Sequence, residues 1–215
     1  MANDIQKFFS GHSLPDRGKL SQALAGLSAT KKNLTGKALL KLSPKKGIWL
    51  FGQDNEHMPD GTQLIADPST LQTGYIAWWM GQVEDEKMQP ASLGPVDPAT
   101  LGEVNSGGIP PGKKEASGKG WENQLSIELI TRDKLPLSLI YKTSTMGGTD
   151  ALLGLAGRMY HDMEENPQRV YPIVEIYVGS YIRKESGNEV FTPGFTIVGW
   201  LDAEGNEVKE LRSLL

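Results

Sequence analysis

Hydrophobic and polar residues change rhythm along this chain, from a helical repeat near the N-terminus to alternation with a period of two beyond residue 34. Over residues 16–27, Leu20, Ala23, Leu24 and Leu27 recur at helical spacing behind Pro15 and a capping Asp16, which predicts a short amphipathic helix. Residues 38–43 and 48–51 then flank Pro44, Lys45, Lys46 and Gly47, a turn composition that predicts a first hairpin. Residues 63–66 and 75–79 read as a further pair of strands, separated by the polar break at residues 67–70. Over residues 121–131, Leu125, Ile127 and Leu129 alternate with Gln124, Ser126 and Glu128, and residues 135–142 alternate likewise after Arg132, Asp133 and Lys134.

One long helix is predicted over residues 149–165, where Ala151, Leu152, Leu155, Ala156 and Met159 form an apolar stripe and Asn166-Pro167 supplies the stop. Residues 171–200 follow as an aromatic hairpin turning at Ser186, Gly187 and Asn188. Between residues 89 and 120 all periodicity is lost. Seven Gly and five Pro fall in this stretch, which predicts a long flexible loop inserted in one domain. The expected fold is therefore mainly β with one inserted long helix: an antiparallel curved sheet or OB-like β-barrel, preceded by a short N-terminal helix. The expected organisation is a basic N-terminal arm or helix at residues 1–33 and a single β-rich domain at 34–215.

Charge sharpens this picture. The first 46 residues carry nine Lys or Arg against Asp4 and Asp16, a balance of +7, so a total of -4 leaves -11 on the remainder. A basic arm on an acidic body concentrates positive potential where a polyanion would sit. With no cysteine, a disulfide framework, a thiolate nucleophile and a Cys-type zinc site are excluded. No apolar run is long enough for a membrane span and no secretory pattern opens the chain, so a cytoplasmic setting is expected.

Few motifs promise catalysis. Residues 107–114 fit GxxxxGK, but Lys114 stands where a P-loop needs Ser or Thr for magnesium, and two prolines replace the strand-to-helix context. Pro59-Asp60 followed by Asp85-Glu86-Lys87 matches the PD…(D/E)xK order of magnesium-dependent nucleases, in which carboxylates hold the metal and lysine assists the attacking water. Here the acidic triplet lies in a polar run rather than at the end of an apolar strand. Three His and no HExxH give no metal site, no GxSxG elbow gives no serine nucleophile, and no cofactor is expected.

Aromatic and basic residues carry the main expectation. Six of the sixteen aromatic residues lie in residues 171–200. Alternation puts Val174, Ile176 and Val178 on a core face and Tyr177 and Tyr181 opposite, followed by Arg183 and Lys184. Sequence-tolerant binding of single strands uses this pairing of stacking rings and cations. The expected binding set is Lys41, Lys45, Lys46, Arg183 and Lys184 on phosphates, with Tyr177, Tyr181, Trp49 and Phe195 stacking on bases. Packing in the core is the competing expectation for Trp49, Phe51, Trp78 and Trp200. Ser144, Gly147 and Gly148, just before the long helix, form a second, phosphate-binding expectation beside an ordinary helix cap at Thr149 or Asp150.

The order of basic helix, aromatic hairpins, Gly/Pro loop, Gly-Gly helix start and closing Pro193-Gly-Phe-Thr-Ile-Val-Gly-Trp200 strand resembles bacteriophage single-stranded DNA-binding proteins with an OB-like fold. That resemblance rests on residues 143–151, 171–184 and 191–200, and it implies a replication or recombination accessory with single-stranded DNA as partner. Replication or recombination proteins and a second copy of the chain are further partners it implies. Many such phage proteins end in an acidic recruiting tail, whereas residues 207–215 are mixed and partly apolar. The rival readings are a phage structural or host-interaction protein that binds no nucleic acid, and the PD…(D/E)xK nuclease.

Overall fold

A computed structural model describes residues 36–104 and 118–209; the predicted N-terminal helix and the GxxxxGK match lie outside these residues. The strands are β1 (Ala38–Ser43), β2 (Ile48–Phe51), β3 (Glu56–Met58), β4 (Gln63–Trp79), β5 (Gln82–Pro90), β6 (Gly118–Thr131), β7 (Ser138–Thr143), β8 (Tyr171–Ile182) and β9 (Glu189–Leu201). A single α-helix among the described residues, α1 (Met146–Glu165), joins β7 to β8. All nine strands belong to one sheet of order β3-β2-β1-β7-β6-β4-β8-β9, with β5 paired to β4 as a branch. The sheet curls strongly into a half-barrel, so the mainly β, OB-like class read from the sequence is the class observed. Pairing is antiparallel except between β1 and β7, which run parallel. Among the described residues, no helix is long and apolar enough to cross a membrane.

Strand β4 organises the sheet, and it differs from the pair of strands expected. Residues 63–79 form one strand of 17 residues, because the polar break at Asp67 makes a bulge and not a reversal. There the Asp67 carboxylate accepts from the Ser69 amide at 2.9 Å and its hydroxyl at 2.7 Å, a local turn that displaces the register before Gln72. One edge of β4 pairs with β6 along its length. The other pairs with β8 at Gln63–Ile65 and with β5 from Gln72 onward, so the sheet forks at the bulge.

Strand β5 was hidden by its polarity: it occupies the polar run that holds Asp85-Glu86-Lys87. Met80 (φ 51°) and Gly81 (φ 79°) both take the left-handed conformation required by a tight two-residue hairpin, which folds this run back on β4. The expected loop over residues 89–120 is correspondingly shorter at both ends, since β5 reaches Pro90 and β6 begins at Gly118. Its described part is tied down by Trp121 Nε1 donating to the Gly102 carbonyl at 2.8 Å, and by Lys87 Nζ donating to the Thr100 carbonyl at 2.7 Å.

Helix α1 fills the curl. Thr145, and not Thr149 or Asp150, is the N-cap, with its hydroxyl accepting from the Gly148 amide. Asn166 ends the helix ahead of Pro167, whose ring favours an extended residue before it. Leu152, Leu155 and Met159 are buried in the same cluster as Leu40, Leu64, Ile127, Val174 and Trp200. At its centre Trp49 of β2, Tyr141 of β7 and Phe195 of β9 pack at centroid distances of 5.8, 5.7 and 5.2 Å. Tilted and edge-on geometry of this kind adds to the stabilisation from burial alone.

Replacing Phe195 by Ala is expected to cost about 3–5 kcal/mol in urea unfolding, against under about 1 kcal/mol for the half-exposed Tyr181. Burial pushes the Tyr141 hydroxyl up to about 12 from the ordinary 10.0, against a smaller opposing effect of its hydrogen bond to Thr143. Because the folded state holds this proton more tightly than the unfolded chain, the contribution is intact below pH 10 and is lost as pH rises through about 12. Urea midpoints of the wild type should therefore fall across that window more steeply than those of Tyr141→Phe.

Candidate nucleic-acid interface

The parallel pairing of β1 with β7 sets the site. Leu40 stands opposite Tyr141, and both belong to the core. Alternation then turns the next residues, Lys41 and Lys142, to the other face of the sheet beside one another. A cleft of about 850 Å³ opens past them. Its apolar lining comes from Leu39, Ile140, Ile76, Trp78 and Val83, and its polar lining includes Lys41, Lys142, Glu86 and Gln124. The tip of the β8–β9 hairpin adds Tyr181, Arg183 and Phe191. A volume of this order accommodates a nucleotide-sized ligand.

Curling of the sheet brings the β1–β2 turn onto β9. The Phe191 amide donates to the Pro44 carbonyl at 3.4 Å, and the Phe191 ring lies against Gly47, where an added Cβ would come within 2.7 Å of it. Lys45 and Lys46, both exposed, thereby sit next to the hairpin that carries Tyr181, Arg183 and Lys184. Glu185 and Glu189 share the hairpin tip and offset its two cations, so the positive excess of this region comes from Lys41, Lys45 and Lys46.

The expected residues divide into three groups. Lys41, Tyr181 and Arg183 line the cleft, and Lys45, Lys46 and Lys184 are exposed on the adjoining β1–β2 turn and β8–β9 tip. Tyr177 is 44% exposed but is not part of the cleft lining; its ring covers Gly194, its cross-strand partner. Trp49 and Phe195, at 1% and 2% exposure, are core residues that present no face to a ligand, and they leave the stacking set. For Phe195 the cause is register: it pairs directly with Ile176, so the two share the buried face. Trp49 also spends its indole N–H within the fold, donating to the Tyr177 carbonyl at 3.3 Å.

Ser144, Gly147 and Gly148, the expected phosphate residues, line the same cleft at the start of α1. Gly148 is buried with its amide donating to Thr145 Oγ1, and an added Cβ would overlap Thr143 Oγ1. Close packing, rather than an open anion cradle, explains this glycine. Ser144 Oγ faces the Glu122 carboxylate at 3.5 Å, which opposes a phosphate there. The PD…(D/E)xK carboxylates are not assembled either. Asp60 precedes the first residue of β4, whereas Asp85 pairs with Ala77 near its last, so the length of that strand lies between them. Among the described residues, no group of three or more His, Asp or Glu side chains is arranged to hold a metal ion.

Sequence reasoning missed Lys142, Glu86, Gln124 and the apolar floor. The alternation of Ser138, Ile140 and Lys142 was legible, but the face it served depended on the parallel neighbour. Glu86 accepts from Lys142 Nζ at 2.9 Å on each oxygen, and Oε1 also accepts from Gln124 Nε2. Gln124 is 4% exposed, so the polar floor is anchored.

The turn-to-hairpin contact is testable through its glycine. Gly47 (φ 61°) and Gly52 (φ 70°) have similar backbone conformations, but only Gly47 has a neighbour in the way of a side chain. Gly52→Ala should cost about 1–2 kcal/mol from conformation alone, and Gly47→Ala should cost more because the Phe191 ring must also move. Thermal unfolding of the two variants measures the difference.

No protein-family model, curated protein or solved structure matches this chain.

Proposed function

We propose that the protein binds single-stranded DNA without strict sequence preference, as a non-enzymatic accessory of phage replication or recombination. The observation that carries this reading is convergence. Lys41 and the Lys45–Lys46 turn, distant in sequence from Tyr181, Arg183 and Lys184, are held beside them by the Pro44–Phe191 hydrogen bond and the Gly47–Phe191 contact. Cations spaced around an apolar cleft with an exposed tyrosine at its mouth suit a chain of phosphates bearing flat bases. In this mechanism Lys41, Lys45, Lys46, Arg183 and Lys184 follow the backbone while Tyr181 stacks on a base. A stack of this kind contributes about 1–3 kcal/mol. The acidic remainder of the chain confines a strand to this face, because it repels polyanions elsewhere.

Titration of a fluorescently labelled oligo-dT at low salt tests the reading. Anisotropy should rise and the association constant should fall with salt, with a log–log slope of roughly -0.7 per engaged phosphate. Changing Lys45 and Lys46 together to Gln should flatten that slope by about 1.4, whereas Tyr181→Ala should weaken binding without altering it. No anisotropy change at protein concentrations on the order of tens of micromolar would refute strand binding.

A further inference from the structure

The cleft is electrically polarised, and the polarity distinguishes one part of a nucleotide from another. Ile76, 4% exposed, lies on the cleft floor with Glu86 as its cross-strand partner on β5 and Glu122 on β6. Of these two carboxylates Glu86 lines the cleft beside the apolar floor, while Lys41 and Arg183 line it from β1 and the β8–β9 tip. The lysine beside Glu86 is already engaged: Lys142 Nζ lies 2.9 Å from both of its carboxylate oxygens. With side-chain exposures of 30% and 34%, the pair is reachable from the cleft but not fully solvated, so its mutual neutralisation is only partly screened. A phosphate entering this end would meet a lysine whose charge Glu86 has already cancelled.

We propose that Glu86 is a selectivity residue: by cancelling Lys142 it leaves the apolar end without a cation for phosphate, so that a nucleobase lies over Ile76, Trp78 and Val83. The ligand class is thereby a polyanion that carries bases, as distinct from a base-free polyanion such as polyphosphate. This assignment rests on the strand-binding reading of the same cleft and adds to it the orientation of the strand. Gln124, buried and donating to Glu86 Oε1, is the positioning residue that keeps the carboxylate in place.

Anisotropy titrations of oligo-dT and of an abasic strand of equal length, on the wild type, Glu86→Gln and Lys142→Gln, test the assignment. The wild type should prefer oligo-dT by about ten-fold, the low end of what one base contact supplies. Glu86→Gln, which preserves shape, should narrow that margin by tightening the abasic strand, and should steepen the salt slope by about 0.7 as Lys142 becomes a phosphate contact. Lys142→Gln should leave the slope unchanged, since its charge is already cancelled. A wild type that binds both strands equally, a Glu86→Gln protein with unchanged margin and slope, or a Lys142→Gln protein with a flatter slope would each overturn the assignment while leaving strand binding intact. Failure of the wild type to bind either strand is the separate result that removes the strand-binding reading, and this assignment with it.

Discussion

The packing of Trp49 against Tyr141 and Phe195 is the contact on which the rest of the structure depends. These rings come from β2, β7 and β9, so their mutual approach joins strands near the two ends of the sheet and holds the curl. A flat sheet of this order would leave β2 and β9 far apart. Once curled, β9 lies within reach of the β1–β2 turn, and the Trp49 indole adds a hydrogen bond to the β8 backbone. Helix α1 then supplies the apolar filling that a half-barrel needs, through Leu152, Leu155 and Met159. Arg158 donates to the Phe195 carbonyl, tying that helix to the same aromatic strand.

The same curl creates the cleft, and the fork in β4 gives it a second wall. Beyond the Asp67 bulge, β4 leaves β8 and takes β5 as its partner, which brings Glu86 and Val83 toward the face carrying Lys41 and Lys142. Lys41 and Lys142 thus lie on the face of the β1–β7 pair opposite Leu40, while Leu42 and Tyr141 border both the core and the cleft. This division lets side chains at the cleft vary in charge without disturbing the aromatic cluster, because alternate residues along a strand serve different faces. It also makes the proposed strand binding depend on register. A slip of one residue in β7 would exchange Tyr141 and Lys142 between the core and the cleft.

The sequence made most of the fold legible, because alternation and turn chemistry are local. The β1–β2, β6–β7 and β8–β9 hairpins and the apolar stripe of α1 all follow from such signals. Strand β5 was illegible for a physical reason: its nine residues are largely polar and exposed, and β4 supplies the partner that its own composition does not announce. The continuity of β4 was hidden by Asp67-Pro68, which has the composition of a reversal but bulges in place. For the site, the cations and Tyr181 were legible as a basic, aromatic set and core packing of Trp49 as one of two alternatives, whereas the roles of Phe195 and Gly148 were not legible. Trp49 and Phe195 are packed by Tyr141 and Ile176, distant in sequence, whereas Gly148 is crowded by Thr143 through the local fold of the chain into the helix cap. Glu86 and Lys142 escaped notice because their pairing joins two strands that are not hydrogen-bonded to each other.

Mapping backbone amide shifts in ¹H–¹⁵N spectra during titration with a short single-stranded oligonucleotide tests the central claim most directly, since it locates a ligand without a mutation. The account predicts changes concentrated at Lys41–Lys46 and Tyr181–Lys184, two segments that only the curled sheet brings together, with the Arg132–Leu137 turn unaffected. Changes confined to one of the two segments, or centred on the Arg132–Leu137 turn, would contradict it.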